Sequence, residues 1–233
     1  MRKILLPLSV FALVVTGLKG IAFPHHWAAT HLLFNYAEHG FVKRALLGTL
    51  ARMLGPWTAH YAFFFYFSVV VVAVNIVLLL LVFRQLIDSR HVMARFVPPL
   101  YASSLAIAYL ANSIGYFDHL GLLAVLVALR VAGFWRRFVF VAITFGVLIL
   151  IHEGLYLMFL PVALASLLLD PVAEGAKRKV ASVVVLLLLL SLLTWVMGNA
   201  TVPKAAAVQM HRASVARADY LVNKVAFEVL YRT

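Results

Sequence analysis

The sequence predicts an all-α fold: a polytopic transmembrane helix bundle of about seven helices, with a long first extracytoplasmic segment containing an amphipathic helix. Three observations predict it. Hydrophobic residues fill 65% of 233 positions, charged residues only 12%, and mean hydropathy is +1.02. A soluble domain is typically about 45–50% apolar and about 25% charged. The apolar residues also come in long blocks, and Lys and Arg gather at alternate block ends, as the positive-inside rule requires.

Seven blocks follow in order, at 4–23, 61–83, 97–114, 120–134, 138–151, 155–169 and 180–197. A crossing needs about 20 residues, with about 17 as a lower limit. The first three blocks and the last satisfy this; the middle three are short, and are read as tilted, partly re-entrant or fused. The first block follows Arg2 and Lys3 as a signal peptide would, but no small-x-small cleavage site precedes Pro24 and Lys19 interrupts its end. A retained helix is the expectation. The stretch 203–233 reads as a moderately amphipathic helix with Val208, Val215, Leu221, Val222 and Val225 among its apolar positions. It either continues into further chain or lies along the membrane surface. The whole of 1–233 is one membrane domain.

With the N-terminus in the cytoplasm, the cytoplasmic side holds Arg2 and Lys3, then Arg84, Arg90 and Arg95, then Arg130, Arg136 and Arg137, then Lys177, Arg178 and Lys179. The outer turns around 115–119 and 152–154 hold no Lys or Arg. Two outer stretches break the pattern. The first outer segment carries Lys19, Lys43, Arg44 and Arg52, and the tail carries Lys204, Arg212, Arg217, Lys224 and Arg232. These cations need a second explanation.

The formal charge of +12 is accounted for by cations that orient spans and meet anionic lipid. No basic stretch alternates with exposed aromatics, so nucleic acid is not an expected partner. Without cysteine, disulfides and thiolate metal sites are excluded.

The scarce polar groups collect on the predicted outer side. Of nine histidines only His91 falls on the cytoplasmic side, and Glu38, Asp118 and Glu153 join the others outside. Ionisable groups at membrane depth are costly and mark functional sites. The first candidate stretch, 35–44, pairs Glu38 and His39 with Lys43 and Arg44 around Gly40. Glu38 suits a general base, and the two cations suit a phosphate. The competing reading is an interfacial amphipathic helix with Leu46, Leu47, Leu50 and Leu54 in lipid and the cations snorkelling. The second candidate, Asp118 with His119, suits an acid that orients an imidazole; a helix cap is the compatible alternative. The third, His152 with Glu153, lies either in a tight hairpin turn or inside one long helix. Fourteen residues at about 1.5 Å each put it about 21 Å from the cytoplasmic end in both cases. The zinc motif H-E-x-x-H fails there, because its second His would fall on Tyr156. No metal ligand set is assigned, although the many histidines leave a divalent metal open. Asn199-Ala200-Thr201 forms a short glycosylation acceptor pattern.

The helix layout and the outer 35–44 stretch resemble GT-C-type multi-pass glycosyltransferases and the polymerases of bacterial surface polysaccharide. The resemblance implies a transferase of envelope glycan assembly in the bacterial inner membrane, using a polyprenyl-phosphate-linked sugar at the extracytoplasmic face. It places Glu38 as the first-loop acid, with Asp118, His152 and Glu153 as further catalytic groups. His39, Lys43, Arg44 and His119 would bind substrate. An anionic lipid-linked substrate would also explain four of the outer cations, Lys43 and Arg44 together with Arg212 and Arg217. Transfer of a sugar from a lipid phosphate needs a carboxylate base and cations for the leaving group. Two other functions fit the same residues: a proton-coupled transporter using His152, Glu153 and Asp118 as a relay, and a non-catalytic subunit with membrane-protein partners.

Overall fold

The computed structural model describes residues 2–169 and 175–231, with side chains from Ile4 onward. Arg232 and the side chains of Arg2 and Lys3, which entered the charge pattern, lie outside the described residues. Every regular element described is helical: α1 (Arg2–Gly20), α2 (His26–Thr30), α3 (Tyr36–His39), α4 (Leu46–Leu54), α5 (Tyr61–Asp88), α6 (Val97–Ala102), α7 (Leu105–Asn112), α8 (Asp118–Ala128), α9 (Phe134–Ile151), α10 (Leu155–Leu168), α11 (Ala176–Gly198), α12 (Lys204–Val215) and α13 (Lys224–Glu228). Short 3-10 turns occupy His31–Leu33, Pro56–Ala59 and Met93–Phe96.

Three helices are long and apolar enough to cross a membrane: α5, α9 and α11. Ile4–Gly20, α8 and α10 are apolar but shorter. In α5 the buried positions form one stripe, Phe64, Ser68, Val71, Asn75, Leu79, Phe83 and Ile87. Only 22% of its most apolar window is buried, so most of its apolar surface faces outward. An apolar surface that large is unstable in water and stable in hydrocarbon.

Local chemistry sets the helix limits. The block at 97–114 is not one helix. It opens on Pro98 and Pro99, tolerated in a first turn, and breaks at Ser103–Ser104. There Ser103 Oγ donates to Pro99 O at 2.9 Å and Ser104 Oγ to Tyr101 O at 2.7 Å, competing with the backbone ladder. The start of α9 moves back to Phe134, behind Gly133 with φ 82°. His152–Gly154 is a hairpin turn between α9 and α10, which decides between the two sequence readings. The tail also differs from the single amphipathic helix expected. It is two short helices separated by an irregular stretch at 216–223, for reasons given below.

Packing divides the helices into two groups that share α8. One joins α1, α5, α6, α7 and α8, with Leu79, Phe83, Ala102, Ile107 and Leu126 in its core. The other joins α8, α9, α10 and α11 around Phe145, Ile149, Leu160, Leu167 and Leu186. At one end lie the basic loops. Arg137 donates to Val131 O and Ser166 O, and Arg178 sits 5.2 Å over the Trp135 ring. At the opposite end residues 21–60 and the tail form a cap. Leu33, Phe34, Val42 and Ala45 pack there against Met210, Val222, Phe227 and Leu230, with Phe34 and Phe227 ring centres 4.8 Å apart.

Candidate functional site

The cap carries the polar residues that the sequence singles out, and two separate polar centres organise it. The first is built on Glu38. Asn35 begins α3 in extended conformation, and its Oδ1 accepts from Glu38 N at 2.9 Å while its Nδ2 donates to Glu38 Oε2 at 3.0 Å. That reciprocal arrangement caps the helix and aims the carboxylate. Arg217, from the tail, then donates Nη1 to both carboxylate oxygens at 2.6 Å. Arg52, from the last turn of α4, pairs with Oε1. Two guanidiniums from distant stretches therefore converge on one acid, leaving an excess of positive charge.

Two clefts open beside this group. One of about 520 Å³ is lined by Asn35, Glu38, Arg52, Thr58, His60 and Arg217 among others. A second of about 450 Å³ is lined by Glu38, His39, Gln209, Met210 and Arg217 among others. Glu38 and Arg217 belong to both walls, so their ion pair is the partition between the clefts. His39 faces the second cleft with its Nδ1–H donating to Asn35 O at 3.1 Å. Burial, and then the charge of Arg217, push its pKa below the ordinary value.

The second centre is buried beneath. Arg44 Nε donates to Glu153 Oε1 and Oε2 at 3.2 and 3.0 Å, and its Nη2 donates to Oε1 at 2.5 Å. The side chains are 11% and 20% exposed. Burial alone would raise the Glu153 pKa, but the hydrogen bonds and charge of Arg44 outweigh it and hold it at about 2. Arg44 has φ 64°, the one positive value outside glycine among the described residues. Such backbone strain persists only where surroundings over-determine it. His152 accepts from Gly154 N through Nδ1 at 3.1 Å and lies edge-on to Phe117. His31, fully buried between Trp27, Phe34 and Phe117, donates Nδ1–H to Trp27 O at 3.0 Å. Its Nε2 has no partner. Burial first, then nearby Arg44, lowers His31 to about 3 and His152 to about 4. Both are neutral imidazoles. Lys43 is also turned inward at 5% exposed, and burial lowers its pKa.

Asp118 and His119 do not form an orienting pair. Successive helix residues do not face each other, and here they diverge. Asp118 accepts from Tyr109 Oη at 3.2 Å, while His119 turns into the bundle and donates Nε2–H to Leu110 O at 2.9 Å. The N-cap position of α8 is Phe117, and Asp118 stands in the first turn, where its charge favours the helix dipole. The acids Glu38, Glu153 and Asp118 therefore stand in three different surroundings rather than in one cavity. The cations in the open cleft are Arg52 and Arg217, while Lys43 and Arg44 are inside. The sequence names Arg52 only as an excess outer cation and Arg217 as one that an anionic substrate would explain; their convergence on Glu38 had no local signal.

The tail also reaches the start of α5. Asp219 Oδ1 accepts from Tyr61 N at 2.7 Å and its Oδ2 from His60 Nδ1 at 3.0 Å. Tyr220 Oη donates to Ala29 O at 2.9 Å, and Thr30 Oγ1 accepts from Asn223 N at 3.0 Å. These bonds use the stretch that would otherwise join α12 to α13.

Among the described residues no three His, Asp or Glu side chains are grouped to hold a metal ion. No family model, curated protein or solved structure matches the chain.

Proposed function

We propose that the chain is a seven-crossing bacterial inner-membrane protein, N-terminus cytoplasmic, that transfers a glycosyl group from a polyprenyl-phosphate-linked donor at its capped, extracytoplasmic end. The observation that carries this reading is the Glu38–Arg52–Arg217 group at the mouth of the cleft. Arginine forks match phosphate geometry, and two of them exceed what one carboxylate neutralises. In this reading the donor phosphate draws both arginines away from Glu38. The freed carboxylate then accepts the proton of an acceptor hydroxyl, whose oxygen bonds to the anomeric carbon as the bond to the lipid phosphate breaks. The departing phosphate remains on the arginines. The partition formed by Glu38 and Arg217 suits this chemistry, since it puts the acid between two spaces, one for each reactant.

The buried centre takes a supporting role in this scheme: Arg44 with Glu153 fixes the stretch that carries Glu38. The same centre is what a proton-coupled transporter would use, with His31 and His152 beside an acid. The firm Arg44–Glu153 pairing supports the structural role instead.

The test is binding and transfer with the purified chain in lipid nanodiscs. Arg52→Ala and Arg217→Ala are expected to weaken binding of undecaprenyl phosphate at least tenfold, and Glu38→Gln to abolish transfer while binding persists. Wild-type binding in both arginine variants, or transfer surviving Glu38→Gln, would sink the proposal. Because the chain has no cysteine, single cysteines at 60 and 91 report sidedness directly. A membrane-impermeant maleimide should label the first from the periplasm and the second only after lysis.

A further inference from the structure

The two clefts that Glu38 and Arg217 separate differ in charge and in what lies beside them. Arg52 and His60 line the larger cleft and not the smaller. In the smaller, one carboxylate faces one guanidinium, Glu38 against Arg217, and the His39 ring is kept below its ordinary pKa by burial and by Arg217. Among the described residues, the excess of positive charge therefore lies in the larger cleft. His60 adds a ring nitrogen to it. Asp219, anchored by Tyr61 N at 2.7 Å, accepts from His60 Nδ1 at 3.0 Å, which fixes the tautomer and leaves Nε2 for a ligand. Neutral Nε2 accepts from a protonated phosphate oxygen, and on the imidazolium it donates to an ionised one.

The neighbourhoods differ as well. Gly55 and Pro56, in the wall of the larger cleft, stand between Leu54 and Trp57, which are 63% and 52% exposed. Trp57 meets Phe63 of α5 edge-on with ring centres 5.0 Å apart, and Phe63 stacks on Phe67 at 6.2 Å. This apolar lip is thus continuous with a helix long enough to cross a membrane, and its tryptophan suits the headgroup level. The smaller cleft is walled instead by Ala206, Gln209 and Met210 of α12, a helix that exposes Lys204, Gln209 and Arg212.

We infer that the larger cleft receives the lipid phosphate, whose chain passes over Trp57 onto α5, and that the smaller receives the hydroxyl-bearing acceptor. The inference rests on the glycosyl-transfer reading and gives it a direction. The donor arrives from the membrane, the acceptor from the water side, and Glu38 stands on the boundary. The acceptor proton reaches Glu38 from the smaller cleft, while the phosphate departs into the larger. His60 is a third phosphate contact there, beside Arg52 and Arg217.

The test uses the full chain in nanodiscs and an undecaprenyl phosphate analogue with a diazirine on the isoprene unit next to the phosphate. After illumination, peptides are mapped by mass spectrometry. Adducts are expected on residues 53–67 and not on 202–213, and unlabelled undecaprenyl phosphate should compete them away. His60→Ala should weaken binding at least about threefold, the loss of one hydrogen bond, and Gln209→Ala should stay within about twofold of wild type. Competed adducts anywhere but 53–67, or a loss in Gln209→Ala as large as in His60→Ala, would overturn the assignment while the transferase reading stands. No competed adduct at all would remove both.

Discussion

Arg44 and Glu153, which are 109 residues apart in the chain, meet in a fork with contacts of 2.5 to 3.2 Å. The pair ties the first capping segment to the hairpin between α9 and α10. Removing one partner of this part-buried pair leaves an uncompensated charge; in a fully buried pair that typically costs about 3–5 kcal/mol, the upper bound here. Glu153→Gln should therefore lower the melting temperature in detergent sharply. The double variant Arg44→Met with Glu153→Leu should recover a large part of that loss. Equal melting of wild type and Glu153→Gln would mean that the pair contributes nothing.

Acid should begin to destabilise the cap through His31 and His152 at a higher pH than through Glu153. His31 and His152 have folded values of about 3 and about 4 against an ordinary 6.5. A depressed value means that the folded state resists protonation. The contribution is thus complete above pH 6.5 and is lost as pH falls towards 4 and then 3. Each histidine removes up to about 1.4 kcal/mol per pH unit within its window. Glu153 acts lower, between 4.5 and about 2. Melting scans from pH 8 to 4 should slope downward below about 6.5, and His31→Gln should flatten that slope. A flat wild-type profile would refute the burial of both imidazoles.

Gly48 sets how closely α4 approaches the 3-10 turn at 31–33. A Cβ there would stand 2.0 Å from Phe34 O and 2.6 Å from Leu32 O, both backbone atoms that cannot turn aside. Gly48→Ala should cost at least about 1–3 kcal/mol, the range for overpacked sites. Gly146→Ala, with nothing within 4 Å of its added Cβ, is the matched control and should melt at or above wild type. Reversed ranking of the two would contradict the packing.

Asp219 caps a helix to which it is not local. Loss of a capping carboxylate typically costs about 1 kcal/mol, and here it also unties the tail. Asp219→Ala should lower stability by about that amount and expose residues 216–223 to limited proteolysis. Asp219→Asn, which keeps an acceptor for Tyr61 N, should be cut more slowly. Identical digestion of all three proteins would exclude the tie.

The long helices were legible because hydrophobic length is a property of contiguous sequence: the apolar run from Tyr61 needs no partner to be recognised. What escaped detection depends on partners far along the chain. The apolar block at 97–114 hides the serines that divide it. The tail predicts one helix because nothing near Asp219 and Tyr220 announces that their bonds go to Tyr61 and Ala29. The candidate site divides the same way. Glu38, His152 and Glu153 stand out as rare polar groups in an apolar chain. Which arginine meets which acid is decided by tertiary packing, and spacing favoured Lys43 and Arg44 simply because they are near Glu38 in sequence.

The bonds from the tail to Tyr61, Ala29 and Thr30 give the molecule a timetable. Residues 21–60 leave the ribosome long before Arg217 and Asp219 exist, so the entrance of α5 waits uncapped and the acid waits without one of its two arginines. Synthesis of nearly the entire described chain must finish before the cap and its two clefts are complete. A chain cut short anywhere upstream of position 217 lacks both the second arginine on Glu38 and the carboxylate at the start of α5.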